Sequence, residues 1–141
     1  MTNMMEFLNK GRLVDLLKRE RLDAIVATSP ENVTYSSGYW ALSQWIRRGP
    51  QSYVLLPAAD LDASCIIAST SLLDLLADQD IWVKNVRRYG YFQADRANAP
   101  LNALDRRQAE LYDLPDDKGA IESLVAAIRG AGLAKECLAV D

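Results

Sequence analysis

A chain of 141 residues, half of them apolar and a quarter charged, has the size and composition of one soluble domain whose core needs no disulfide or metal staples. Its net charge of −3 lacks the basic excess of a nucleic-acid binder, and no apolar run approaches the roughly 18 residues of a membrane span. There is no histidine, which excludes Ser-His-Asp and Cys-His nucleophilic catalysis, the usual zinc sites and the commonest general base.

The start, MTNMMEFLNKGR, lacks the apolar core of a secretory signal, so a cytoplasmic protein is expected. Residues 5–20 read as an amphipathic helix, with Phe7, Leu13, Val14, Leu16 and Leu17 on one face and Arg12, Asp15 and Arg19 opposite. The run Leu22 to Ala27 predicts a buried strand. TSPENVTYSSGYW, residues 28–40, then predicts a helix of barely two turns with strong punctuation. Either Thr28 caps it in a capping box with Glu31, or Ser29 does, with Pro30 in the first helical position; Gly38 suits the left-handed residue that ends it.

Tyr39 to Pro50 is a loop of large side chains. SYVLLP (52–57) and ASCIIA (63–68), joined by AADLD, predict an antiparallel hairpin. Thr70 or Ser71 caps a short helix carrying Leu72, Leu73, Leu75 and Leu76. Ile81 to Tyr89 alternates like a strand with one wet face. Residues 91–115 read as a loop, although Leu101, Leu104 and Leu111 could line a helix. Asp116 or Asp117 opens the clearest helix: Ile121, Leu124, Val125 and Ile128 keep its period, and Gly130 and Gly132 close it. Cys137 to Val140 returns to the sheet. This alternation implies an α/β fold, a three-layer α/β/α domain around a mixed sheet of about five to six strands. Without a repeat or linker, residues 1–141 read as a single domain.

Several local patterns carry only structural readings. Cys65 and Cys137 each sit in an apolar run and are expected to be buried small hydrophobes. Asn32-Val33-Thr34 matches a glycosylation acceptor but falls in a predicted helix without a secretory signal. Gly130-x-Gly132 follows a helix, so it is a C-cap rather than a phosphate loop. Asp60 with Asp62 and Asp116 with Asp117 sit at turns and helix starts, where acids serve structure more often than magnesium. Ser36-Ser37-Gly38 is an incomplete nucleophile elbow. In Ser43-Gln-Trp-Ile-Arg-Arg48, by contrast, Arg47 and Arg48 beside Trp45 and Tyr39 could grip a small carboxylate or meet another subunit. A plain solvated loop is the third reading. Arg87 and Arg88, beside Tyr89, Tyr91 and Phe92, form a second patch of the same character. No catalytic residue or metal-ligand set emerges.

The stretch Ser-Pro-Glu-Asn32-Val-Thr-Tyr35-Ser-Ser-Gly38-Tyr39 resembles the signature early in the N-terminal domain of the creatinase, prolidase and Xaa-Pro aminopeptidase family. The leading helix, the Asp23-Ala-Ile-Val strand, the hairpin and the late helix before a Val-Asp strand end extend the resemblance over essentially all 141 residues. It implies a ribonuclease-H-like α/β domain without chemistry of its own, with Asn32, Tyr35, Gly38 and Tyr39 as a structural motif. Trp45, Arg47 and Arg48 then match the family's contacts to the substrate carboxylate. The resemblance further implies a separate C-terminal "pita-bread" catalytic domain beyond this chain, holding two divalent metal ions with Asp, Asp, His, Glu and Glu. This chain, with no cofactor of its own, would pack on that domain and on a partner subunit in a homodimer. The parent would be a metal-dependent aminopeptidase, dipeptidase or amidinohydrolase. A free-standing binding module for a small carboxylated ligand is the alternative.

Overall fold

The computed structural model describes residues 6–46, 49–93, 95 and 98–141. Helix α1 (Lys10–Glu20) starts where the Asn9 side chain accepts from the Arg12 amide at 2.9 Å, and it stops at Arg21, which takes the left-handed conformation at φ 56°. That start lies later than the apolar pattern suggests. Phe7 is therefore outside the helix and exposed, Leu16 faces water, and Leu17 is the buried anchor between half-buried Leu13 and Val14.

Six strands form one mixed sheet among the described residues: β1 (Ala24–Ala27), β2 (Tyr53–Pro57), β3 (Cys65–Ser69), β4 (Asn85–Tyr89), β5 (Asp116–Asp117) and β6 (Leu138–Val140). Their order is β5-β4-β3-β2-β1-β6, and only β2 runs against the others. The expected hairpin is β2–β3, with Tyr53 opposite Ile67. The remaining helices are α2 (Pro30–Ser37), α3 (Leu42–Trp45), α4 (Leu73–Ala77), α5 (Ala103–Tyr112) and α6 (Ala120–Gly130).

The near-continuous apolar strands are explained by burial on both faces. Ile25, Ala27, Val54, Leu56, Ile66, Ala68 and Val86 point to a core closed by Leu13 of α1, Val33 of α2, Leu73 and Leu76 of α4, and Leu111 and Tyr112 of α5. Their neighbours Ala24, Val26, Tyr53, Leu55, Cys65, Ile67 and Tyr89 point to a second core under Leu124, Ala127 and Ile128 of α6. The three-layer α/β/α arrangement follows. Helix α4 has only five residues, too few to hold by propensity; burial of Leu73 and Leu76, at about 2 kcal/mol each, anchors it.

Some expectations are corrected. Ile81 to Lys84 is not strand: Ile81, Trp82 and Val83 are all buried in succession, which a strand with one wet face does not allow. They plug the end of the first core, where the Trp82 indole donates to the Ser36 carbonyl at 2.9 Å and the Lys10 ammonium lies 4.0 Å over the ring. Residues 91–115 contain α5, capped by Asn102, although Leu101 and Leu104 remain exposed. Neither Asp116 nor Asp117 opens α6. They form edge strand β5, and Gly119 stands at the N-cap. Ser69, one residue before the expected caps, accepts from the Ser71 amide to start the 3₁₀ turn Thr70–Leu72 that leads into α4. Cys65 is buried as expected, whereas Cys137 is exposed, because the segment before β6 runs along the sheet edge. Among the described residues no helix is long and apolar enough to cross a membrane.

Candidate functional site

The short helix α2 resolves the choice of cap. Ser29 Oγ accepts from the Asn32 amide at 3.3 Å, Pro30 fills the first helical position, and Glu31 meets the positive end of the helix dipole. Gly38 ends the helix at φ 80°, its amide donating to the Thr34 carbonyl at 2.8 Å.

Thr28 is free of capping because it serves another group. Its amide and its hydroxyl both donate to Oδ1 of Asp141 at 2.6 Å. The Ser29 hydroxyl and the Asn32 side-chain amide donate to Oδ2 at 2.7 and 2.5 Å, and the Ser29 amide spans both oxygens at 3.3 Å. Partial shielding of this carboxyl, on a residue that is exposed overall, opposes ionisation, but the hydrogen bonds from Thr28, Ser29 and Asn32 outweigh it and bring it down to about 2. The parallel pairing of β1 with β6, Val26 opposite Val140, delivers Asp141 to the start of α2. The family resemblance implies a structural role for Asn32, and the fold supplies its partner, Asp141. A hydroxyl-and-amide cluster at a strand end is a carboxylate-binding pattern, yet nothing local says which of 19 acids it takes.

Beyond Gly38 the chain divides inward and outward. Tyr39 is fully buried, and burial pushes its hydroxyl up to about 12. Trp40 is half exposed, with its backbone held on both sides by Gln79: the Trp40 amide donates to Oε1 at 2.7 Å and Nε2 donates to the Trp40 carbonyl at 3.3 Å. Helix α3 lies where a plain loop was expected, and each polar residue on it is tied down. Ser43 Oγ donates to the Pro50 carbonyl at 3.1 Å, Gln44 Nε2 to the Thr28 carbonyl, and the Trp45 indole to Thr34 Oγ1 at 3.0 Å. Trp45 and Ile46 are nevertheless 39% and 58% exposed, and Tyr35, next to Thr34 on α2, is 49% exposed. Of the expected site residues, the structure brings Trp45 against α2, buries Tyr39 away from it, and engages Asn32 with Asp141. Arg47 and Arg48 lie outside the described residues.

The second arginine patch serves structure. Arg87 makes a two-pronged pair with Asp117, Nη2 to Oδ2 at 2.9 Å and Nε to the same oxygen at 3.2 Å. Burial raises the Asp117 carboxyl, but the nearby Ser123 hydroxyl and the Arg87 guanidinium bring it below its ordinary value. Arg88 Nε donates to the Leu114 carbonyl at 2.5 Å and Nη1 to Thr70 Oγ1 at 3.3 Å. These arginines fasten β5 to the sheet.

Proton chemistry is not what these environments favour. Asp117 and Asp141 are shifted down, whereas burial pushes Tyr89 up to about 12 and Cys65 up to about 11. Each moves away from neutrality, the reverse of what a general acid or base requires. Among the described residues no three His, Cys, Asp or Glu side chains group as metal ligands would. What the α2–α3 region offers is a pinned scaffold with exposed rings, an arrangement suited to recognition.

No protein-family model matches this sequence, and no curated protein matches it by sequence. Among solved structures the chain is similar to a proline dipeptidase from Streptococcus pneumoniae TIGR4, at 13% identity and a TM-score of 0.42, over 93% of this chain and 100% of that one. The likeness is distant.

Proposed function

We propose that this chain is the non-catalytic N-terminal domain of a creatinase- or Xaa-Pro-peptidase-like metallohydrolase, where it contributes to dimerisation and to the wall of the active-site mouth. The observation that carries the reading is the α2–α3 platform: Trp45, tied to Thr34, is held with Tyr35 and Ile46 on a surface that three side-chain hydrogen bonds fix in place. The residues behind the family resemblance cooperate in building it. Asn32 anchors the start of α2, Gly38 turns the chain, and Tyr39 locks it into the core. A rigid aromatic followed in sequence by Arg47 and Arg48 has the residue types that carboxylate recognition and subunit contacts use, because Trp, Tyr and Arg dominate binding energy.

In this reading Trp45, Arg47 and Arg48 contact the substrate carboxylate or the partner subunit. The two divalent metal ions belong to the catalytic domain. The donors in this chain do not fit them: it has no histidine, its described acids form no group of three ligands, and no step is derived through a metal here. The gene read past codon 141 is expected to encode a segment with Asp, Asp, His, Glu and Glu ligands. In the protein it encodes, Trp45→Ala and Arg47→Ala are expected to raise KM by roughly 5- to 30-fold with melting temperature retained. A downstream frame without those ligands, or an unchanged KM, sinks the proposal. A stop codon near 141 together with a thermal shift on adding small carboxylates selects the free-standing binding module instead.

A further inference from the structure

On the opposite edge of the sheet from Asp141, between β4, the residues that follow it and α5, lies an open cavity of about 500 Å³. That is within the range of small-molecule sites. Its apolar walls are Tyr91, Phe92 and Tyr112, and the first two are 83% and 50% exposed. Leu101 adds to the same surface. Large rings gathered around a concavity and left in water mark a surface that meets something.

Among the described residues the charge around these rings is one-sided: Asp95, Asp105 and Asp116 line the cavity, with Arg88 as the one cation. That guanidinium is already engaged by the Leu114 carbonyl and Thr70, sits 3.9 Å from Asp116, and has a side chain only 15% exposed. Asp95 and Asp105 make no ion pair among the described residues. Aromatic faces with the carboxylates of Asp95 and Asp105 beside them attract a positive charge twice over, by the ring quadrupole and by direct Coulomb attraction. They repel an anion, and a neutral apolar molecule gains the walls alone.

We infer that this cavity binds a small organic cation bearing an apolar group: an amine, guanidine or quaternary ammonium, with its charge over Tyr91 and Phe92 and toward Asp105. None of these residues belongs to the α2–α3 platform, so the inference stands apart from the proposed function.

The test titrates benzyltrimethylammonium into the ¹⁵N-labelled full chain, with benzyl alcohol as neutral counterpart and benzoate as anionic one. Saturable shifts are expected at the amides of Tyr91, Ala109 and Tyr112, with affinity about tenfold above that for benzyl alcohol and no response to benzoate. Asp105→Asn and Tyr91→Ala alter exposed side chains, and each should weaken binding by about threefold or more while leaving the far-ultraviolet spectrum unchanged. Arg107→Gln, which faces a separate cavity on the other side of α5, should leave it unaltered. Equal binding of benzoate, shifts that never saturate, or full affinity in Asp105→Asn would overturn the inference.

Discussion

Replacing Asp141 by asparagine tests whether its carboxylate is what holds β6 to the start of α2. Four donors reach that carboxylate at 2.5–2.7 Å, two from Thr28 on one oxygen and one each from Ser29 and Asn32 on the other. An amide of the same shape keeps an acceptor for one pair but turns an N–H₂ group toward the other, so donors face donors. Buried, such a loss would exceed 3 kcal/mol. Asp141 is exposed, and solvent screening reduces the expected cost to about 1–2 kcal/mol. For a chain of this size that lowers the melting temperature by roughly 3–8 °C. The pH dependence carries the sharper signature. The folded carboxyl titrates at about 2, below its ordinary 3.8, so the folded state favours the ionised form. This contribution is complete above about pH 5 and is lost as pH falls from near 4 through about 2. Urea unfolding of both proteins at about pH 6.5 should therefore show a clear gap in midpoint, and at about pH 3 a smaller one. Equal midpoints at the higher pH, or a gap that persists undiminished at the lower, would refute the anchoring role.

Three further outcomes are expected. Gly38→Val places a β-branched side chain at φ 80° in a buried turn and should cost about 1–3 kcal/mol, with Gly38→Asn milder; a melting temperature equal to the parent's contradicts this. Arg87→Met leaves Asp117 without its two-pronged partner and should cost about 1–2 kcal/mol. Because the Gly90 amide donates to the Asp117 carbonyl at 2.9 Å, its hydrogen exchange should accelerate while that of Ile67 in the sheet centre stays slow. Under native conditions a thiol reagent should modify one cysteine quickly, exposed Cys137. Buried Cys65, whose thiol is pushed up to about 11 by burial against the opposing pull of Arg87, should react only on unfolding; two fast thiols would count against the packing of β3.

Much of the fold is legible in short-range chemistry. Thr28 or Ser29, with Pro30 and Gly38, set the length of α2 to within one residue, since caps and backbone freedom act within a few residues; the engagement of Thr28 by Asp141 leaves Ser29 as the cap. The apolar runs at 22–27, 52–57 and 63–68 declare buried strands, the polar turn between the last two declares a hairpin, and the alternating helices declare a layered α/β domain. Local pattern misled where a tertiary surface overrode it. Ile81, Trp82 and Val83 abandon alternation because the end of the first core needs three consecutive plugs. The acids 116 and 117 look like a helix start, yet they join β4 because Arg87 and Arg88 await them there.

The same division runs through the candidate sites. The sequence by itself determined that Trp45 follows a sharp turn and that no imidazole is present to react. Only the folded sheet decided that Asn32 holds Asp141, 109 residues away, that the second arginine pair serves structure, and that Tyr91 and Phe92 face a cavity with Asp105. Caps and turns are read from neighbours along the chain. Which carboxylate meets which donor depends on strand order, and strand order is settled by the burial of the whole molecule at once.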